Sequence, residues 1–118
     1  MTTIYHNPRC SKSRAAMELL HTRGVEPEIV YYLENPPDAG TLKELTRQLS
    51  CSIRQIIREG ESVYGELGLA SRNLSEDDLI RIVIENPRLL ERPIVVHHGK
   101  AAVGRPPENI LSILQEPS

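Results

Sequence analysis

The chain has no tryptophan and no phenylalanine, and four tyrosines are its only large phenolic rings. Its core therefore has to be built from Leu, Ile, Val and Ala, whose branches interdigitate rather than stack. Basic residues show no excess: 14 Lys and Arg stand against 16 Asp and Glu, a formal charge of −2. That balance argues against a general nucleic-acid binder, so any cationic site must be local and no direct nucleic-acid partner is expected. No apolar run reaches bilayer-spanning length and no basic-then-apolar leader is present, so a cytoplasmic protein without a membrane partner is expected. Cysteine is scarce, with Cys10 and Cys51 alone, and in that compartment both should be free thiols. No Cys/His spacing resembles a zinc site, and His97 and His98, adjacent on a predicted strand, point to opposite faces, so no metal is expected. A phosphatase-type loop, in which an arginine follows the cysteine after five intervening residues, is excluded because position 16 is Ala.

What is present sorts into alternating elements. Thr2-Thr3-Ile4-Tyr5 reads as a strand stopped by Asn7-Pro8. From Ser11 the pattern turns helical, with Ala16, Leu19 and Leu20 on one face and Arg23-Gly24 as the stop. Glu28-Ile29-Val30-Tyr31-Tyr32 reads as a second strand, which completes a βαβ unit with parallel strands. After Asn35-Pro36-Pro37 the chain is helical for some fifty residues. Thr41-Leu42-Lys43-Glu44 matches a capping box ahead of Leu42, Leu45 and Leu49. Ser52-Ile53-Arg54-Gln55 matches another, ahead of a short helix expected to end near Arg58-Glu59-Gly60. A polar linker with Tyr64 and Leu67 leads to a helix capped by Ser75, carried by Leu79, Ile80, Val83 and Ile84, and ended by Asn86-Pro87. Pro93–His97 and Lys100–Val103, separated by His98-Gly99, spell an antiparallel hairpin, and Pro106-Pro107 opens a last helix with Ile110, Leu111 and Leu114. The expected fold is α/β: a thioredoxin-like mixed four-stranded sheet, βαβ plus ββα, in one domain over 1–118 with a helical insertion at about 38–90.

The chemistry concentrates where the first strand hands over to the first helix. Cys10 falls at a helix start, whose unpaired N–H groups and partial positive charge favour a thiolate. Arg9, Lys12 and Arg14 act in the same direction, and so does His6 when protonated; His6 equally well caps the loop. The same amides and cations suit an oxyanion. Cys10-Ser11-Lys12-Ser13 has the shape of a Cys-x-x-Cys motif with serine in the second place. An adduct on Cys10 then has no resolving thiol nearby and must be cleared by an outside thiol, which implies glutathione or a glutaredoxin-like protein. Cys51 reads as a helix-entry packing residue, and pairing with Cys10 is left open. Arg58, Arg92 and Arg105 lie at element boundaries, where each taken singly reads as a solvated cation or a charge at a helix end. Arg92-Pro93 is more telling, because a proline entering the third strand of such a sheet is expected to be cis and to face the thiol.

Together, His6-Asn7-Pro8-Arg9-Cys10, Ser13-Arg14, Tyr32-Leu33-Glu34-Asn35-Pro36-Pro37, Arg92-Pro93-Ile94-Val95-Val96 and Gly104-Arg105-Pro106 resemble the glutaredoxin-dependent, ArsC-type arsenate reductases over nearly the whole chain. The resemblance implies that Cys10 attacks arsenate, that glutathione attacks the adduct as co-substrate, and that glutaredoxin then frees the cysteine. It implies that Arg58, Arg92 and Arg105 hold the oxyanion and that His6 favours the thiolate. No bound cofactor is implied. The chain ends earlier than the longer members of that family, as its shorter relatives do. Two other functions fit the same architecture: an Spx-like regulator acting through a polymerase subunit, against which Ser13 removes the usual Cys-x-x-Cys switch, and a general monothiol oxidoreductase for glutathionylated proteins, for which three arginines are superfluous.

Overall fold

The computed structural model describes residues 1–114, so the last four positions of the expected 1–118 domain lie outside the described residues. The chain divides into two compact units, Met1–Asn35 together with the segment from Arg92 onward, and Pro36–Glu91.

The first unit is the thioredoxin-like α/β arrangement. Its strands are β1 (Thr2–Tyr5), β2 (Glu28–Val30), β3 (Ile94–His97) and β4 (Lys100–Val103), ordered β2-β1-β3-β4. β1 and β2 are parallel, joined through α1 (Ser11–Thr22), while β3 is antiparallel to both β1 and β4. The hairpin turn forms as its composition demands, with His98 and Gly99 both at positive φ, 50° and 82°. Gly24 ends α1 at φ 72°, a conformation that costs glycine little. Beneath the sheet, Ile4 and Val95 meet Ala16 and Leu20 of α1 and Ile110 of a 3₁₀ turn (Pro107–Ile110), all fully buried. Ala16 and Leu20 lie on one stripe of α1 together with Ser13. β2 is shorter than its sequence suggests. The Tyr31 carbonyl turns to accept N–H groups from Glu34 and Asn35 at 3.0 and 2.9 Å, which takes Tyr31 and Tyr32 out of the ladder.

The second unit is helical, with α2 (Ala39–Leu49), α3 (Ser62–Glu66) and α4 (Glu76–Glu85). Asp38, not Thr41, caps α2: its side chain accepts from Thr41 N–H at 2.8 Å. Ser75 caps α4 through Asp78 N–H at 3.1 Å. Ile53–Ile56 is a 3₁₀ turn that ends before Arg58, because Ile57 is extended and bridges Leu90. The stretch with Tyr64 and Leu67 is more ordered than a linker, holding α3 and a 3₁₀ turn at Leu69–Ser71. Among the described residues no helix is long and apolar enough to cross a membrane.

Candidate active site

The loop between β1 and α1 is tied down residue by residue. His6 N–H continues the β1–β2 ladder to Val30 O at 2.9 Å. Asn7 then organises the turn: its side-chain oxygen accepts from Arg9 N–H at 3.0 Å and its carbonyl from Cys10 N–H at 3.0 Å. Pro8 has no N–H to lose, and its carbonyl accepts from Arg14 Nη1 at 2.8 Å. Arg14 therefore straps the loop as well as adding charge, and it is exposed, as Arg9 and Lys12 are. Cys10 occupies the N-cap of α1 in extended conformation and makes no capping bond with its side chain. Cys10, half-buried and in no disulfide, thus stands at the end of α1 where the unpaired N–H groups lie.

Ser13 has a second part that the motif alone does not disclose. It lies on the buried stripe of α1, and its hydroxyl accepts from Asn7 N–H at 3.1 Å and meets His6 Nδ1 at 2.6 Å. With Asn7 filling one lone pair, the hydroxyl proton goes to Nδ1, since elsewhere it would be buried without an acceptor. That assigns His6 the neutral tautomer with its proton on Nε2. Burial first, and the Arg14 charge second, push the His6 pKa below its usual value, so near neutral pH the ring carries no charge. Through Nδ1 and Ser13, His6 is thereby bonded into the loop that carries Cys10. Its ring also leans on Tyr31, with centroids 5.9 Å apart. A polar residue on the core stripe of a helix is the signal that could have pointed to Ser13.

The sheet register gathers the rest. Tyr5 pairs with Val30 on one side and Ile94 on the other, and Ile94 pairs with Val103. One step further along each strand, His6, Tyr31, Pro93 and Gly104 therefore emerge at the same end of the sheet, and Arg92 and Arg105 follow on neighbouring strands. Both the Arg92–Pro93 and the Arg105–Pro106 peptide bonds are cis. Gly104 N–H donates to Pro93 O at 2.8 Å, extending the β3–β4 ladder to this end. Arg92 Nε is buried and, among the described residues, has no hydrogen-bond partner. A buried charged donor without an acceptor is costly and fits a site built to receive an anion.

Arg58 belongs to the second unit and is no free solvated cation. Nη1 pairs with Glu61 at 2.9 Å and Nε with Glu91 at 3.2 Å, with all three side chains largely buried. Its backbone N–H donates to Leu89 O at 2.7 Å, beside the Ile57–Leu90 bridge. Cys51, in the same unit, has its pKa raised by burial and by the Glu76 carboxylate, so it stays a protonated thiol near neutrality. Among the described residues no cluster of three or more His, Cys, Asp or Glu is arranged to hold a metal ion. His97 and His98 do not point to opposite faces of one strand as expected: β3 ends at His97, His98 lies in the turn at φ 50°, and the two rings stack at 4.0 Å, while His97 meets Thr2 Oγ1 at 2.6 Å.

Comparison with known proteins gives a consistent picture. The ArsC family model matches residues 5–113. The chain is 55% identical over 112 residues to the uncharacterized Escherichia coli protein YfgD, covering 94% of each. It is 53% identical to an arsenate reductase of Neisseria meningitidis, covering 94% of this chain and 96% of that one. Among solved structures, an arsenate reductase from Vibrio cholerae superposes with a TM-score of 0.92 at 46% identity, covering 95% of this chain and 96% of that one.

Proposed function

The chain belongs to the ArsC family, and from that premise we propose that it reduces arsenate to arsenite through Cys10, with glutathione and a glutaredoxin as electron source. The observation that carries the reading is the placement of Cys10, at the N-terminus of α1, at the same end of the sheet as Arg92 and Arg105. Arsenate has the shape and charge of phosphate, and helix amides with planar guanidinium groups are the chemistry that binds such anions. The unmatched Arg92 Nε supports the same assignment.

The chemistry balances in three steps. Cys10 sulfur attacks arsenic, an As–O bond breaks, and water leaves, giving a Cys10–arsenate thioester. Glutathione sulfur then attacks Cys10 sulfur. The S–As bond breaks with its electron pair left on arsenic, which departs as arsenite, and Cys10 is left glutathionylated. A second thiol, on glutaredoxin, removes the glutathione and restores Cys10 as in any thiol–disulfide exchange. Because position 13 is serine, no internal thiol stands three residues away to take the last step. His6, Arg9, Lys12 and Arg14 tune the thiolate and its loop in this scheme. Arg58 is proposed as an oxyanion ligand on family resemblance. A general monothiol oxidoreductase would need no such arginines.

The test is NADPH oxidation coupled through glutathione reductase, glutathione and glutaredoxin to added arsenate. Turnover by the wild type and its loss in Cys10→Ser are expected; wild-type turnover no faster than that of the serine variant would refute the proposal.

A further inference from the structure

Gly104 is buried, directly precedes Arg105, and faces Pro93, which directly follows Arg92. Its backbone is not in the left-handed region, unlike that of Gly24, Gly68 and Gly99, so conformational freedom is not what calls for glycine there. Space is. A Cβ at this position would lie 2.8 Å from Pro93 Cγ, 3.4 Å from Pro93 Cδ and 3.4 Å from Ile110 Cγ2. A proline ring is fused to its own backbone, so its Cγ can give way only by the small excursion of a pucker change and not by swinging to another rotamer. Ile110 is fully buried in the core and closes off the other direction. What a pucker change does not relieve has to come from moving the backbone on one side or the other, and the segments that would move are those carrying Arg92 and Arg105. The close approach is held by the 2.8 Å bond from Gly104 N–H to Pro93 O, the arrangement for which a side-chain-free residue is needed.

We propose that Gly104 is a positioning residue for the oxyanion site: by lacking a side chain it lets the end of β4 lie against the Pro93 ring, which sets Arg92 and Arg105 side by side at the Cys10 end of the sheet. The proposal rests on reading those arginines as anion ligands. Gly104 touches no substrate in this scheme and acts through the two arginines.

The experiment compares Gly104→Ala, Pro93→Ala and the double variant. Gly104→Ala should raise KM for arsenate about tenfold with kcat changed less than about twofold, the split expected when ligand binding is disturbed and the nucleophile is not. Iodoacetamide should alkylate its Cys10 at the wild-type rate. Pro93→Ala removes the colliding ring atoms, so adding Gly104→Ala to it should change KM little further, a non-additivity that a general loss of packing would not produce. A folded Gly104→Ala with wild-type KM overturns the proposal, as does an equal cost of Gly104→Ala in both backgrounds. If Gly104→Ala alone does not fold, a folded double variant with the KM of Pro93→Ala supports it, and an unfolded double variant overturns it. Should the wild type reduce no arsenate, the functional reading fails separately, and the positioning claim is then read from inorganic sulfate protecting Cys10 against iodoacetamide. Protection weakened about tenfold in Gly104→Ala supports it, and equal protection, or none in the wild type, overturns it.

Discussion

Ser13 Oγ stands 2.6 Å from His6 Nδ1, and among the described residues that nitrogen and the Asn7 N–H are the hydrogen-bond partners of this fully buried hydroxyl. Ser13→Ala should therefore strand an imidazole nitrogen and a backbone amide at once. The expected cost is about 1–3 kcal/mol of stability, the penalty for buried polar groups left without partners, together with slower arsenate turnover as the loop before Cys10 loosens. Urea denaturation and the coupled assay on the same preparation read both, and an alanine variant as stable as wild type would remove Ser13 from the site's architecture.

His6 gives a pH prediction with a fixed sign. Its pKa in the folded protein is lowered by burial and by Arg14, so between the folded and unfolded values the unfolded chain binds more protons. Stability then rises with pH across that window. The contribution is fully present above the unfolded value of about 6.5 and is lost as pH falls through the folded one. Urea midpoints measured from pH 7.5 down to 5 should fall, and His6→Gln should flatten that decline. A wild-type profile no steeper than that of the glutamine variant would contradict the buried, neutral assignment.

Cys51 should be a spectator. Its thiol is held protonated by burial and by Glu76, and a protonated thiol is a poor nucleophile. Cys51→Ala is expected to keep arsenate turnover within about twofold of wild type, whereas Cys10→Ser loses it. Peptide mapping after brief iodoacetamide treatment at pH 7 should find the label on Cys10. Equal labelling of both cysteines would show that Cys51 is not shielded in solution.

Arg58 should matter to stability irrespective of any ligand. Its guanidinium joins Glu61 and Glu91, so Arg58→Ala takes away the cation that these two carboxylates, each about a quarter exposed, share. For a pair between the exposed and the fully buried case the expected loss is about 1–3 kcal/mol. Adding Glu61→Gln to the alanine variant should recover part of it, because the charge that Arg58 Nη1 had paired is removed. No recovery would mean that the ion pairs contribute little and that Arg58 is retained for other reasons.

These residues also show what could be read before folding. The alternation of strand, helix and hairpin was legible because hydrophobic period and Gly/Pro punctuation are local, and His98-Gly99 takes up the positive φ angles that its composition announces. Local competition was harder: Asp38 and Thr41 are both competent caps, and only the bond to Thr41 N–H decides between them. Long-range pairing was invisible, so the extended Ile57 opposite Leu90 displaced an expected helical turn. The site divides the same way. Cys10 and its cations sit in one short stretch, but the bond between Ser13 and His6 depends on which face of α1 is buried. The facing of Gly104 and Pro93 depends on the β3–β4 register. Neither leaves a local trace beyond a polar residue on an apolar stripe and a glycine next to an arginine.

Arg92 gives the sharpest separation of function from stability. Its Nε is buried without an acceptor among the described residues, so in the ligand-free protein this arginine should carry a desolvation penalty rather than a gain. Arg92→Met keeps the length of the apolar stem and removes the unmatched donor. The variant should be at least as stable as wild type, while its KM for arsenate rises tenfold or more, on the order of what a charge-assisted bond to an anion contributes. Arg92→Lys should not restore binding, because one ammonium cannot supply the two-pronged contact of a guanidinium. Thermal melts with and without sulfate distinguish the cases. An anion that binds only the folded protein raises Tm, so wild type should shift upward with sulfate and Arg92→Met should not. A methionine variant that melts well below wild type without sulfate, or that keeps the full sulfate shift, would show that Arg92 holds the fold together and is not waiting for an anion.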